Sequence, residues 1–215
     1  MPTDEEKTAL RRKVKSIRLS YNTILDRLAR LTSFANALES ETEVDINERQ
    51  KSLFVDDIIA LAINARRFLS DLEMTKASQK AHVPLLGFYF KQNYEDVDIY
   101  PSTKTIPISR ILNIIIHHKE LVIFRSKMDI VAKLIIRPRN IESSELDSFF
   151  HIYNITQKLR MQKIKPIMSI QSDKPTMLVL QVSEFISVFS EAIFTKAIEH
   201  CEDHEIFLND NWDEY

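Results

Sequence analysis

The side chains best suited to chemistry lie in the stretch SRILNIIIHH, residues 109–118, where an arginine, an asparagine and two histidines interrupt a run of aliphatic residues. On an α-helix, residues seven apart differ by ~20° around the axis and residues four apart by ~40°. Arg110, Asn113 and His117 would therefore form one polar stripe. A guanidinium binds phosphate through parallel hydrogen bonds, and an imidazole exchanges protons near neutral pH. The stripe thus combines anion binding with proton transfer.

The element that must carry this stripe is an amphipathic helix. Its aliphatic residues cover the remaining sides and would bury the helix in a bundle: Ile111, Leu112, Ile114 and Ile115. Buried polar side chains are costly unless they are hydrogen-bonded or face a cleft. A purely structural alternative stays open, in which Arg110 pairs with a carboxylate, Asn113 bonds within the bundle, and both histidines, His117 and His118, interact with the carboxyl end of the helix.

An arginine and a histidine separated by four to six residues on a bundle helix define the HEPN (higher-eukaryote and prokaryote nucleotide-binding) superfamily. The pair Arg110 and His117, with six residues between, resembles the longest form of that motif. The stretch LNIIIHHKELVI, followed by short strands and a Phe-rich helix, is also similar to bacterial HEPN-type proteins. The likeness covers residues 107–119 and 166–204. The commonest form places arginine directly before asparagine, and Leu112 stands there in this chain.

The resemblance implies a helical bundle that dimerises with its motif helices facing each other, and a metal-independent endoribonuclease of toxin or defence type. Arg110, Asn113 and His117 would be its catalytic residues, with no metal and no cofactor. RNA, a second copy of the chain, and an antitoxin or other protein are the partners it implies. Leu112 leaves a second possibility open, a catalytically inactive relative that works as an interaction or regulatory module.

Composition excludes several other classes of function. The net charge is −2, so the whole chain has no bulk attraction for nucleic acid or an anionic membrane. Gly87 is the single glycine, which excludes the glycine-rich loops that bind nucleotide phosphates. Cys201 is the single cysteine, which excludes an internal disulfide and favours the cytoplasm. We expect neither a signal peptide nor a transmembrane span.

Periodicity predicts two long helices before the polar stripe. The first, of roughly 30 residues, has an apolar seam from Leu10 to Leu31 and a cap at Thr3 or Asp4. Its other faces carry many basic residues, which we interpret as a solvated face, with a nucleic-acid contact as the alternative. The second helix is predicted from Asn47 to Glu73, antiparallel to the first. Residues 76–107 are predicted to be mostly irregular, with one short helix as an alternative.

Strand-like segments follow the polar helix. ELVIFRS, DIVAKLIIRP and the two halves of PIMSIQSDKPTMLVLQV read as strands, and residues 183–204 read as a final core helix. The predicted fold is therefore mainly α, a helical bundle with a small antiparallel β element inserted before the C-terminal helix. We assign a single domain, residues 1–215, with the insertion at about 120–182.

Two further groups of residues invite a functional interpretation. A basic cluster could follow RNA phosphates, although such a run is more often a solvated surface: Arg137, Arg139, Lys158, Arg160, Lys163 and Lys165. His200 and His204 have ligand-like spacing, but the sequence offers no third ligand and we predict no metal site. Cys201 lies between them and has no identifiable base that would make it a nucleophile.

Overall fold

The computed structural model describes residues 3–36, 44–91, 96–131, 163–172 and 177–206, together with 133, 159 and 208. These residues form a mainly α-helical protein with small antiparallel sheets, in agreement with the predicted class. Among the described helices, none combines the length and the apolar character that crossing a bilayer requires.

The first two helices form an antiparallel pair. Helix α1 spans Asp4–Asn36 and α2 spans Val44–Asp71, close to the predicted bounds. A capping box begins α1, because Thr3 and Glu6 each bond the backbone N–H of the other. Contacts between the helices run in opposite directions, from Ser16 with Asp71 to Phe34 with Phe54. The apolar seam of α1 is buried against α2 from Ile17 onward.

The segment after α2 is a β-hairpin, so the prediction of irregular structure for residues 76–107 was wrong. Helix α3, Thr75–Lys80, leads into β1, His82–Phe90, which pairs with β2, Val97–Pro107. A bulge between Pro84 and Leu86 shifts the register. Gly87 lies opposite Tyr100, whose ring is so close that a Cβ at Gly87 would lie 2.5 Å from it. The glycine thus serves close packing rather than a tight turn.

A three-stranded antiparallel sheet follows α4, which spans Ile108–Ile116. Its strands are β3, Glu120–Ser126, β4, Lys163–Gln171, and β5, Met177–Gln181, in the order β3-β4-β5. The predicted antiparallel element before the last helix is therefore present.

The predicted strand DIVAKLIIRP was wrong at its start, because residues 129–131 belong to a short helix, α5, Lys127–Val131. The rest of that segment lies outside the described residues, apart from Lys133.

The last helix runs in three pieces: α6, Val182–Phe189, a π-helical segment, Ser190–Phe194, and α7, Thr195–Asp203. The Thr195 hydroxyl donates to the Ser190 carbonyl at 2.9 Å, which suits the wider π turn. Phe194 stacks on Tyr21 of α1 and contacts Phe68 of α2. One hydrophobic cluster thereby joins α1, α2, α4 and the last helix, and a second lies between the hairpin and the three-stranded sheet.

Candidate functional site

Helix α4 connects the two sheets and is held against the long helices. It follows β2 without a loop, and the N–H of Ile108 donates to the carbonyl of Ala81 at 2.8 Å. It packs on α2 and α3. Pro107 precedes the helix in an extended conformation, and no described side chain caps it. The hairpin, which the sequence analysis missed, therefore sets where α4 begins.

The two faces of α4 differ sharply in exposure. Its aliphatic face is buried in the main core: Ile108, Ile111, Leu112 and Ile115. Arg110, Asn113 and His117 are all exposed. Within the described part of the chain, none of these three side chains makes a hydrogen bond or an ion pair. Arg110 and Asn113 therefore lack, among the described residues, the partners that the structural alternative gives them, whereas His117 does lie at the carboxyl end of α4.

The two adjacent histidines lie at the end of α4 in different surroundings. His117 follows the last helical residue, with φ −110° and ψ 29°, and its backbone N–H donates to the carbonyl of Asn113 at 3.1 Å. His118 is half-buried, and its Nδ1 lies 2.6 Å from the carbonyl oxygen of Ile115. His118 thus closes the end of the helix, while the imidazole of His117 remains open to solvent.

Arg110 and His117 are well separated along α4. Seven residues at 1.5 Å each place their Cα atoms ~10 Å apart, about two turns. The Cα–Cβ bond of Arg110 tilts toward the start of the helix, away from His117. The exposed face therefore presents an anion-binding group at one end and a proton-transfer group at the other, with Asn113 between them.

Leu112 occupies the position where the commonest HEPN form has arginine, and it is 1 % exposed. A guanidinium there would enter the hydrophobic core without water, which is costly unless a carboxylate accompanies it. In this fold, an arginine that reaches the exposed face must come from another position, and Arg110 is the one that α4 provides.

A groove of about 540 Å³ lies elsewhere, between α2 and β3. Its apolar floor is Leu121–Phe124, and its rim includes Lys51, Asp129 and Lys133. Lys51 lies 3.7 Å from Asp129 and 3.0 Å from Glu48, so the rim charges largely neutralise one another. Sequence reasoning missed this groove because its residues come from elements far apart along the chain.

Arg125 is a buried arginine that sequence reasoning also missed. It is 1 % exposed on β3, and its guanidinium lies 4.7 Å from the centre of the Phe34 ring. One of its nitrogens donates to Oε1 of Gln50 at 3.1 Å. These contacts link the three-stranded sheet to both long helices, which is a structural role.

Four residues of the predicted RNA-contacting cluster lie outside the described residues: Arg137, Arg139, Lys158 and Arg160. The other two, Lys163 and Lys165, belong to β4, and Lys165 is exposed.

The end of α7 offers an incomplete set of metal ligands. The rings of His200 and His204 are 4.1 Å apart, and Nδ1 of His204 lies 2.9 Å from the carbonyl oxygen of His200. Among the residues that the structure describes, no three His, Cys, Asp or Glu side chains are grouped so that they could hold a metal ion. Burial, with a smaller contribution from Glu202, raises the pKa of Cys201 to about 11. Its thiol is therefore protonated at neutral pH and poorly suited to nucleophilic attack.

No protein-family model matches this chain, and neither a curated protein nor a solved structure matches it.

Proposed function

We propose that the protein is a metal-independent, HEPN-like endoribonuclease whose catalytic face is the exposed side of α4. The observation that carries the proposal is the exposure of the side chains of Arg110, Asn113 and His117. All three are exposed, and none is paired within the described residues, on a helix whose other face is packed in the core. A rigid helix that presents free polar groups is suited to act on a ligand from outside the chain.

The three side chains match the demands of RNA cleavage by internal transfer. The 2′-hydroxyl attacks the adjacent phosphorus, a P–O2′ bond forms, and the P–O5′ bond breaks. His117 accepts the proton of the 2′-hydroxyl, and O5′ leaves with a proton supplied by a second imidazole or by water. Arg110 binds the phosphate oxygens, on which negative charge builds up. Asn113 orients the ribose or the phosphate by hydrogen bonding.

The spacing along α4 favours a site shared between two copies. Arg110 and His117 are about two turns apart, so one helix does not bring both to a single phosphate. In a symmetric dimer with two antiparallel α4 helices facing each other, Arg110 of one copy lies opposite His117 of the second copy. We therefore propose a homodimer. The second copy would also supply the wall that excludes water from the exposed face.

The finer assignments are part of the same proposal. We place the chain in the cytoplasm and assign it a toxin or defence role, in which an antitoxin or another protein would restrain it. We also propose that α1, α2, α4 and the last helix form a HEPN-type bundle, supported by the hydrophobic cluster that these helices share. The β-hairpin and the three-stranded sheet would then be additions to that bundle.

The test is cleavage of a labelled single-stranded RNA by the purified protein in the presence of EDTA. We expect products that end in a 2′,3′-cyclic phosphate. The variant His117→Ala should be slower by about 10²- to 10⁴-fold, the usual contribution of a general acid–base residue. Arg110→Ala should also lose activity.

The matched control is His82→Ala, which removes an exposed histidine from β1. It should cleave at the unmutated rate. Cleavage by His117→Ala at that same rate would refute the catalytic assignment.

A non-catalytic interaction module is the second candidate, and the buried position of Leu112 favours it, because the chain lacks an arginine directly before Asn113. The exposed face of α4 would then bind another protein or a second copy. Purified protein that binds RNA but leaves it uncut, and that loses self-association in Arg110→Glu, would support the module. Cleavage that depends on His117 would exclude it.

A further inference from the structure

We infer that residues 7–18 of α1, called here the α1 basic segment, bind the phosphate backbone of single-stranded RNA. The inference rests on the proposed function only for the choice of RNA among polyanions. The segment contains six basic residues and no acidic one, although the whole chain has a net charge of −2. This local excess of positive charge is where a polyanion would be attracted.

The segment extends beyond the helix that should cover it. The last contacts between α1 and the end of α2 are the bond from Ser16 to Asp71, at 2.5 Å, and the ion pair of Lys13 with Glu73, at 3.4 Å. Residues 4–12, which precede these contacts in α1, are all exposed. The basic side chains therefore surround a helix end that no other described element covers.

Most cations of the α1 basic segment make no contact with the described residues that contributes much to the stability of the fold. Arg11, Arg12 and Lys15 make no hydrogen bond or ion pair there. Lys7 and Lys13 pair only with exposed carboxylates, and such pairs contribute little to stability.

Among the described residues, the carboxylates near the α1 basic segment leave several of its cations unpaired. Asp71 is bound by Ser16, Glu73 lies beside Lys13, and the remaining acids are at the very start of the helix: Asp4, Glu5 and Glu6.

The cations are arranged along the helix in the way that a phosphate chain requires. Lys7, Arg11 and Lys15 follow one another at spacings of four residues. They form one exposed stripe, ~12 Å long. Nε of Arg67 donates to Ser16 Oγ at 2.8 Å, which brings a further guanidinium from α2 onto the surface of α1. The segment has no aromatic residue for base stacking, so we expect binding that tolerates any sequence.

Apolar content favours RNA over an anionic membrane. A helix that lies in a membrane surface needs a continuous apolar face. In the α1 basic segment, the exposed apolar side chains are Ala9 and Leu10, since Val14 is half-buried and Ile17 is buried. That surface is too small to anchor a helix in lipid, whereas phosphate binding needs only the cations.

The experiment measures binding of a fluorescent 2′-O-methyl RNA, which cannot undergo internal transfer, by anisotropy over a range of salt concentrations. The variant Arg11→Gln/Arg12→Gln/Lys15→Gln removes three contacts of ~0.7 each from the slope of log affinity against log salt. We expect the slope to fall by about 2, with about 100-fold weaker binding at ~0.1 M salt and almost no difference at ~1 M. The variant with lysine in place of Arg11 and Arg12 should keep the unmutated slope.

The control removes the same charge from exposed cations outside α1, in Arg49→Gln/Lys104→Gln/Lys196→Gln. This variant should bind RNA within about twofold of the unmutated protein, since few phosphates would reach these sites. Equal losses in the two triple variants would overturn the inference, and so would unchanged binding in the α1 variant. Binding to phosphatidylserine vesicles without binding to RNA would overturn it in favour of a membrane.

The same assay separates this inference from the proposed function. If the unmutated protein binds through the α1 basic segment yet never cleaves natural RNA, the ribonuclease proposal fails and the inference stands. If cleavage depends on His117 while the α1 variant keeps its full salt slope, the inference fails and the ribonuclease proposal stands.

Discussion

The two halves of α1 have similar residue types but very different surroundings. From Ile17 to Ala35, the apolar seam is buried, and the cations Arg27 and Arg30 both reach Asp57 of α2, at 2.5 and 3.6 Å. Before Val14, the same seam continues as Leu10, which is 62 % exposed, and the cations Arg11 and Arg12 have no partner among the described residues. The helix itself continues through both halves.

This difference shows that the partner element, not the residue type, decides what a side chain contributes. Helix α2 ends at Asp71, so no described element covers Leu10, and the neighbouring Arg11 and Arg12 have no partner among the described residues. A capping box at Thr3 and the intrinsic preferences of the residues keep that end helical without tertiary support. One half of α1 therefore stabilises the fold, and the other half is free to serve binding.

The largest expected change in stability comes from a pair of leucine substitutions, one in each half of the apolar seam of α1. Leu31 is fully buried, so Leu31→Ala should lower the free energy of unfolding by about 3 kcal/mol. Leu10→Ala should change it by less than about 0.5 kcal/mol, because that side chain is already in water. Urea unfolding followed by circular dichroism measures both. A large loss for Leu10→Ala would mean that the basic half of α1 is covered in solution.

A smaller difference in stability is expected between an ion pair in the covered half of α1 and an ion pair in its exposed half. Asp57 is nearly buried and holds Arg27, so Asp57→Asn should cost about 2 kcal/mol by leaving a partly buried guanidinium without its carboxylate. Glu73→Gln removes the carboxylate beside Lys13, where both side chains are exposed, and should cost less than about 0.5 kcal/mol. Equal losses, again from urea unfolding, would contradict a structural role that is confined to the covered half.

The helices were predictable because a period of 3.6 residues survives in α1 and α2 whatever packs on them. The hairpin was not, since Pro101 and Pro107 interrupt the alternation of β2 and no Asn-Gly turn announces it. Its strands are stabilised by long-range packing, as Phe88 and Ile99 lie against the second hydrophobic cluster. Tertiary contacts of this kind have no local signature.

The sequence contains a local signal for the start of α5, but in the prediction the β propensity of the residues that follow outweighed it. The Ser126 hydroxyl accepts from the N–H of Asp129, and the Asp129 carboxylate accepts from the N–H groups of Arg125 and Ser126. This is a capping arrangement, and it starts a helix where Ile and Val favour a strand.

For the candidate site, the helical angles predicted which residues of α4 share a face, but not that the helix ends at Ile116. They also could not predict that the exposed face would lie apart from the groove between α2 and β3. Both depend on how β2 and β3 hold the two ends of α4, and that is a property of the assembled fold.

The smallest expected change in stability concerns a charge in the hairpin, where covered and free charges can also be compared. Asp96 accepts from Lys127 at 2.6 Å and from Lys91 at 3.0 Å, which joins the start of β2 to α5. Chiefly the hydrogen bond from Lys127 lowers the pKa of Asp96 to about 2, against the opposing effect of burial. Because the pKa is lower in the folded chain, this stability is present above pH ~4 and is lost as the pH falls toward 2.

Asp96→Asn should therefore lower the free energy of unfolding by about 1 kcal/mol at pH ~6, an amount reduced by solvent because the side chain is a quarter exposed. The difference between the two proteins should shrink below pH ~4 and be mostly lost near pH 2, where the Asp96 carboxylate is about half protonated in the folded chain and fully protonated in the unfolded one. Urea unfolding of both proteins at each pH cancels the titration of all other carboxylates. Asp98→Asn is the control, since Asp98 is half exposed and lies 3.5 Å from Lys91 alone. A deficit in Asp96→Asn that stays constant down to pH 2 would show that Asp96 acts through packing, and the distinction between covered and free charges would then fail at this site.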